Sequence, residues 1–390
     1  MMEMRYIAKD IPLWQVTIWD KKFNNVDKKW QPKTIKYKYL LSDELDSLRV
    51  DDGDVRILYT GKDVGFTTEE LAGDRLSEGE IISIPWGGIP TVKYHKGKFV
   101  TGDNRIATSN DIDKLTNKYL YYFMRGNIHE IASYYRGASL KHPCMKDILK
   151  MTISYPSVQE QDKICGQFDV LEQIIEVRKQ ELQLLDDLIK ARFVEMFNLS
   201  DCIYKSLGEC TDFVDYRGHT PELSDEGIIR MVNAKSVGKG FFKYVDEFVT
   251  EETYDAWMHR GFGYPGDILF VTEGHTFGNT CLIPEDMTKF ALGQRVITIK
   301  GKEEIKNAFL CSYMQTDMFW KDINVYRTGG TAQGIRSKDL VKVMVPIPPI
   351  EQQIEFVRFV HKVDKSKVAV QKALDETQLL FDSLMQKYFG

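Results

Sequence analysis

The chain has 390 residues, of which 43% are hydrophobic and 28% charged, with a formal net charge of −5. That length exceeds one ordinary domain and suits two or three with cores of their own, and no apolar run reaches the roughly 18 residues that a membrane span needs. Mild acidity does not advertise a nucleic-acid binder, and six scattered cysteines without a C-x-x-C pair suggest reduced thiols, neither a zinc site nor a disulfide frame.

The first ten residues mix charge with apolar side chains and lack the apolar core of a signal peptide, so a cytoplasmic address is expected. Two bunches of bases follow. Lys28, Lys29, Lys33, Lys36 and Lys38 interleave with Trp30, Tyr37 and Tyr39; Lys93, Tyr94, His95, Lys96 and Lys98 form the other. Each fits a solvated strand or loop face as well as a phosphate track. Short runs rich in Ile, Val, Phe and Tyr, broken by Gly and Pro, predict strands up to Pro156, in an α+β or mostly β module.

At Pro156 the pattern becomes helical and starts a repeat. Pro156-Ser-Val-Gln-Glu-Gln161 matches Pro348-Pro-Ile-Glu-Gln-Gln353 at an offset of 192, which also superposes Phe197 on Phe389. In the first helix Ile164, Phe168, Leu171, Ile175, Arg178, Leu182, Leu185, Ile189, Arg192 and Met196 alternate in steps of four and three, a coiled-coil seam. The offset carries it to Phe356, Val360, Val363, Lys367, Val370, Leu374, Thr377, Phe381, Leu384 and Tyr388 in the same phase. Matched register and length favour two helices paired with each other over two helices each docked on its own domain. Gly166 costs about 1 kcal/mol against alanine inside a helix, so a frayed start is expected there. At about 1.5 Å per residue each helix is a spacer of roughly 60 Å. Antiparallel pairing would hold two modules at opposite ends, with pseudo-twofold symmetry, as suits two separated half-sites.

The repeat extends backwards into each module. Tyr135-Arg136 matches Tyr326-Arg327 and Lys146-Asp147 matches Lys338-Asp339. Gly79-Glu-Ile-Ile-Ser-Ile84 matches Gly266-Asp-Ile-Leu-Phe-Val271, and Asp103-Asn-Arg105 falls near Gly293-Gln-Arg295. No catalytic centre is visible: the letters hold no N/D-P-P-Y/F run, no phosphate-binding G-x-x-x-x-G-K-[ST], no H-E-x-x-H and no Pro-Asp. Glu304-Ile-Lys306 has the D/E-x-K form of a nuclease site but falls in a charged turn.

These residues resemble the specificity subunits of type I restriction-modification systems. Gly329 to Gln353 is similar to that family's junction between recognition domain and helix, and Gly137-Ala-Ser-Leu-Lys-His142 with Pro156 to Gln161 looks like a worn copy. Asp215 to Pro221, Asn233 to Val237, Gly266 to Glu273, Phe277 to Thr280 and Gln294 to Ile297 are similar to successive blocks of its recognition domains. The first copy departs from the pattern, with Lys141-His142-Pro143-Cys144 where the second has Gln333-Gly334-Ile335-Arg336. The resemblance implies an α+β fold of two target recognition domains, residues 1–156 and 198–348, each followed by a long helix, 157–197 and 349–390, paired as an antiparallel coiled coil with Leu171, Ile175, Leu182, Leu185, Ile189, Val363, Val370, Leu374, Phe381 and Leu384 in its seam. It implies a non-catalytic reader of double-stranded DNA, each domain taking half of a bipartite, asymmetric site. It also implies partners: two modification subunits that carry S-adenosylmethionine and methylate adenine, and restriction subunits that use ATP and Mg. No cofactor and no membrane are implied for this chain itself.

Readout needs Arg or Lys at guanine edges, Asn or Gln at adenine, and small or basic groups at phosphates. On the resemblance, the contact candidates in the second module are Tyr216, Arg217, His219 and Thr220, then His275 and Thr276, then Asn279 and Arg295, and last Arg327, Thr328, Gly329, Gly330, Thr331, Gln333 and Arg336. In the first module Trp86, Arg105, Tyr135, Arg136 and Lys141 hold corresponding places. Ordinary turns and core aromatics are the plain alternative for each. Two further readings stay open on the residues alone: a coiled-coil adaptor whose globular ends bind proteins, and a divergent stand-alone nuclease or methyltransferase.

Overall fold

The structure, a computed structural model, describes residues 6–20, 31, 33–61, 64–216, 220–328 and 333–390. The chain divides into two compact units, residues 1–177 with 373–390, and residues 178–372. Each unit therefore includes part of both long helices.

In the first unit the strand Tyr6–Pro12 runs antiparallel to Thr152–Pro156, which ties the start of the module to the residues just before the helix. The central sheet has four antiparallel strands in the order Thr17–Asp20, Asn104–Ser109, Ser77–Pro85 and Lys93–Thr101. Thr34–Ile35 extends one side, and Val55–Leu58 with Gly65–Thr67 the other. The helix Asn117–Gly126 starts where the Thr116 hydroxyl accepts from the Tyr119 N–H at 3.2 Å, a normal N-cap. It buries Tyr119, Leu120, Tyr122 and Phe123 in one core with Ile82, Ile84, Phe168 and Phe381.

The second unit repeats this frame. Ile203–Ser206 pairs antiparallel with Met344–Ile347, and Thr211–Asp215, Val296–Gly301, Ile268–Val271 and Thr280–Leu282 form the antiparallel sheet in the same order. Ile268–Val271 is buried at every residue, as befits a central strand covered on both faces. The units differ in what lies between the first and second strands of this frame in chain order. In the first unit that segment extends the sheet. In the second, Ile229–Val232 and Phe248–Val249 join Ala291–Leu292 in a separate three-stranded sheet over a core of Tyr216, Met231, Met258 and Phe290.

Three side-chain anchors recur in both units. The Thr17 hydroxyl donates to the Leu13 carbonyl at 2.5 Å, and Thr211 does the same to Leu207 at 2.5 Å. Asn117 accepts from the Ser109 N–H at 2.7 Å and donates to Glu80 O at 3.1 Å; Asn307 accepts from Gly301 N–H at 2.6 Å and donates to Gly266 O at 2.8 Å. Gln161 and Gln353, both 0% exposed, repeat a three-bond clasp. Gln161 Oε1 accepts from Thr116 N–H (2.9 Å) while its amide donates to Lys114 O (2.7 Å) and Pro156 O (2.9 Å). Gln353 Oε1 accepts from Lys306 N–H (2.8 Å) while its amide donates to Glu304 O (3.0 Å) and Pro348 O (2.8 Å). A buried amide is tolerated because every polar atom has a partner. Glu304-Ile-Lys306 is thus part of this clasp, and the Glu304 carboxylate pairs with Lys205 at 2.5 Å.

The long helices are Val158–Met196 and Ile350–Phe389. The first runs unbroken through Gly166, so the expected fraying is absent; burial of Ile164, Cys165 and Phe168 on either side offsets the glycine's cost. Within the second unit the pairing is antiparallel, since Asp186 meets Lys367 (2.6 Å) and Arg192, further along, meets Glu355 (3.4 Å). Phe193 stacks on Phe309 and meets Phe356 edge-on, with both centroids at 5.5 Å. Within the first unit Phe168 packs on Phe381 at 5.3 Å and on Phe389 at 5.8 Å. Leu171, Ile175, Val363, Val370 and Phe381 are buried, and Leu182, Leu185, Ile189, Leu374 and Leu384 half-buried, while a neighbouring stripe is exposed: Val170, Ile174 and Val177 in the first unit, Leu184 and Leu188 in the second.

Asp364 lies in the second unit among Lys367, His361 and Asp186, and burial holds its carboxyl above the ordinary aspartate range. A raised folded-state pKa binds the proton more tightly than the unfolded chain does. Its contribution to stability is therefore fully present below the ordinary aspartate pKa and lost as pH rises through the folded value. Asp364→Asn is expected to raise the melting temperature at pH 7, and the gain to vanish when the melt is repeated below pH 4.

Candidate nucleic-acid interface

The same end of the frame gathers the predicted contact residues in each unit. In the second, the strand Ile268–Val271 runs into Thr272-Glu-Gly-His-Thr276. Thr272 N–H donates to Arg295 O at 2.9 Å, and Ile335 N–H donates to Thr272 O at 2.9 Å. Gly274 N–H donates to Gln333 O at 3.0 Å, and Thr328 exchanges backbone bonds with Gly334 at 2.9 and 3.0 Å. Three loops are thus stitched into one surface. His275, Thr276, Arg295, Arg327, Thr328 and Arg336 are exposed there and Gln333 is half-buried; Thr220 is also exposed. Arg295 Nε meets Glu273 Oε1 at 3.1 Å. Gly278, at φ 80°, has the Trp320 ring where a Cβ would sit, so that turn accepts no side chain. Arg217, His219, Gly329, Gly330 and Thr331 lie outside the described residues.

In the first unit Trp86 N–H donates to Asp103 O at 2.9 Å and Gly88 N–H to Lys141 O at 3.3 Å, the counterparts of the Thr272 and Gly274 bonds. His142 Nδ1 lies 2.7 Å from Trp86 O, and the two rings meet at 5.1 Å. Lys141 and Arg136 are exposed, with Arg136 Nη2 at 2.8 Å from Asp147 Oδ2, and Trp86 is half-buried. This surface also exposes Ile89 and Leu140, which sequence reasoning passed over because isolated apolar letters in a Gly-rich loop carry no period.

Three of the expected contacts, Arg105, Tyr135 and Tyr216, are buried, and a fourth, Asn279, is half-buried with its amide engaged. Arg105 is 2% exposed, with Nη1 3.5 Å from Asp20 Oδ1, Nη2 2.8 Å from Asp103 Oδ1, and its guanidinium 4.3 Å from the Trp86 ring centre. Strand register explains this. The shared Thr17/Thr211 and Asn117/Asn307 anchors set Ser109 against Gly301, which puts Arg105 at the position of the core residue Ile297 and Asp103 at that of Arg295. Tyr135 is buried and donates to Pro85 O at 2.8 Å. Tyr216 is buried, donating to Gly261 O and accepting from Arg260 N–H, both at 2.7 Å. Burial raises both phenol pKa values, so neither ionises near neutral pH. Half-buried Asn279 spends its amide on Val237 O at 3.0 Å. The hydrogen bonds and ion pairs of these four residues tie the loops to the frame.

The basic bunches are largely tied up as well. Lys93 donates to Tyr59 O, Lys96 pairs with Glu80, Lys98 with Glu69 and Lys38 with Asp74; Lys28, Lys29 and Trp30 lie outside the described residues. Among the described residues no three His, Cys, Asp or Glu side chains gather as metal ligands, and no helix is long and apolar enough to cross a membrane.

Comparison with known proteins agrees with this geometry. The family described as type I restriction modification DNA specificity domain matches residues 46–186 and 213–377, once for each module. The chain is 22% identical over 342 residues to the type I restriction enzyme EcoDI specificity subunit of Escherichia coli, a match covering 77% of this chain and 74% of that one. It is 22% identical over 306 residues to a putative type I restriction enzyme specificity subunit, S.HindORF215P, of Haemophilus influenzae, covering 74% and 75% of the two chains. Its fold is similar to the crystal structure of the type I restriction-modification system S subunit from M. genitalium, with TM-score 0.62 and 17% identity over 100% of this chain and 97% of that one.

Proposed function

We infer, because this chain belongs to the type I restriction-modification DNA specificity family, that each unit reads one half of a split, asymmetric duplex target through the loop surface at the end of its sheet. The observation that carries this reading is a common backbone frame bearing different side chains at its exposed loops. Trp86, Arg136 and Lys141 serve the first half-site. Thr220, His275, Thr276, Arg295, Arg327, Thr328, Gln333 and Arg336 serve the second, with Arg217, His219 and Gly329 to Thr331 beside them in the chain. Arg105, Tyr135, Tyr216 and Asn279 are left to support these loops.

The chain does no chemistry in this reading. Modification subunits dock on the paired helices, for which the exposed apolar stripe supplies contact area, and two copies match the duplicated helix and module. They hold S-adenosylmethionine and methylate adenine, a reaction that requires the base to leave the stack; restriction subunits bring ATP and Mg. The recognition units hold the duplex in register meanwhile.

The test is to express the chain with a modification subunit and map methylated adenines on host DNA. Methylation at one bipartite motif that disappears without the chain is expected, and exchange of residues 198–348 should change one half of that motif only. Methylation indifferent to this chain, with both proteins soluble, would favour an adaptor instead.

A further inference from the structure

Glu273 and Arg295 occupy positions where the two units share a backbone and differ in chemistry. Both side chains are about half exposed (56% and 55%), with Arg295 Nε 3.1 Å from Glu273 Oε1. Their backbones are fixed: Arg295 O accepts from Thr272 N–H at 2.9 Å and from the Thr272 hydroxyl at 3.2 Å, and Glu273 pairs with Gly334 across an isolated bridge. An exposed ion pair adds little to stability, so the backbone bonds and not this pair hold the loops together.

We propose that Arg295 and Glu273 together read one G·C base pair of the half-site met by the second unit, Arg295 donating to guanine O6 and N7 and Glu273 accepting from cytosine N4. The inference rests on the DNA-reading role inferred above. Glu273 engages the guanidinium through Nε, and among the described residues Nη1 and Nη2 make no other hydrogen bond. That leaves the two-nitrogen edge whose spacing matches guanine O6 and N7. Holding the arginine before binding lowers the side-chain entropy lost on contact.

The carboxylate also decides between base and phosphate. A phosphate brought to Arg295 would meet the Glu273 charge a few ångströms away, whereas a G·C edge in the major groove offers two acceptors and, beside them, a donor. The first unit has Gly87 and Asp103 at the equivalent positions, and Asp103 is committed to Arg105 at 2.8 Å. That unit cannot make the same reading there, which is what an asymmetric target requires.

The test uses the full chain in complex with its modification subunit and duplexes carrying the methylated motif. Each guanine of the second half-site is replaced in turn by 7-deazaguanine, which lacks the N7 acceptor. Wild type is expected to lose about tenfold in affinity at one position. Arg295→Ala should show no further loss at that position, and its response to 7-deazaguanine at every other position should match that of wild type. Glu273→Gln should weaken discrimination of G·C from the other pairs at that position only. Should Arg295→Ala bind no duplex, Arg295→Met, which keeps much of the side-chain length without a donor, is measured at lower salt, where phosphate contacts strengthen binding to every duplex, and is expected to bind while ignoring the 7-deaza change. Losses that simply add to those of the arginine variants, or a half-site indifferent to every 7-deaza change, overturn the proposal. A wild-type complex that binds scrambled duplex equally well defeats the DNA-reading role itself, a separate outcome.

Discussion

Arg105→Ala is expected to destabilise the first unit by about 3–5 kcal/mol, whereas Lys141→Ala, at an exposed residue of the same unit, stays within about 0.5 kcal/mol. Arg105 and Asp20 are 2% and 0% exposed. Deleting the guanidinium leaves the Asp20 carboxylate in the core with hydrogen bonds such as that from Ile106 N–H (2.8 Å), but without its opposing charge. It also leaves a void under Trp86, whose ring lies over the guanidinium. For a unit of this size the loss corresponds to roughly 10 °C in melting temperature, read as an early transition by calorimetry. Asp20→Asn/Arg105→Met should recover part of it, because removing both charges removes the unpaired carboxylate. If Arg105→Ala melts like wild type yet alters the first half of the methylated motif, Arg105 reads DNA after all and the burial argument fails.

Arg105 also shows where sequence reading stops. The letters Asp103-Asn-Arg105 and Gly293-Gln-Arg295 invite alignment on the arginines, an offset of 190 residues. The strands keep the offset of 192, fixed by Thr17 with Thr211 and by Asn117 with Asn307. That is a slip of two; the block Gly79 to Ile84 is displaced by one, since the Asn117 and Asn307 amides set Glu80, and not Gly79, against Gly266. The one-residue slip turns a side chain to the other face of its strand, while the two-residue slip keeps the face and moves the side chain along it. Arg105 thus stands inside the strand Asn104–Ser109, buried, and not at the exposed place just before the strand that Arg295 holds in the second unit.

The helices are legible for the opposite reason. A seam with a 3.5-residue period leaves a signal over some forty residues that no single substitution erases, and seam positions such as Leu171, Ile175, Val363, Val370 and Phe381 are the buried ones. What the period misses is the end of each helix, where Phe193 and Met385 leave the seam phase to pack on a recognition unit. The separate sheet built by Ile229–Val232 has no counterpart among the described residues of the first unit, so no repeat could announce it.

Gln353→Leu is expected to cost the second unit about 3 kcal/mol, more than its nearly unchanged side-chain volume suggests. Leucine fills the site but leaves Lys306 N–H, Glu304 O and Pro348 O without the partner that Gln353 supplies. Lost solvation at these groups sets the cost, and water reaching the Lys306 end keeps it below the sum of three full penalties. Faster amide exchange at Lys306 should accompany the lower melting temperature. Gln353→Glu separates the clasp from packing. A carboxylate can still accept from Lys306 N–H but sets a negative oxygen against two carbonyl oxygens, so the acid holds its proton more tightly folded than unfolded. By linkage the variant's deficit against wild type is expected to be smallest below the ordinary glutamate pKa, where the acid is protonated and can donate to one of the two carbonyls, and to grow as pH rises through the folded value. A Gln353→Glu melting curve that follows wild type at every pH would mean that the amide donors do not hold the helix start to its module, and the matching Gln161 clasp would lose its meaning with them.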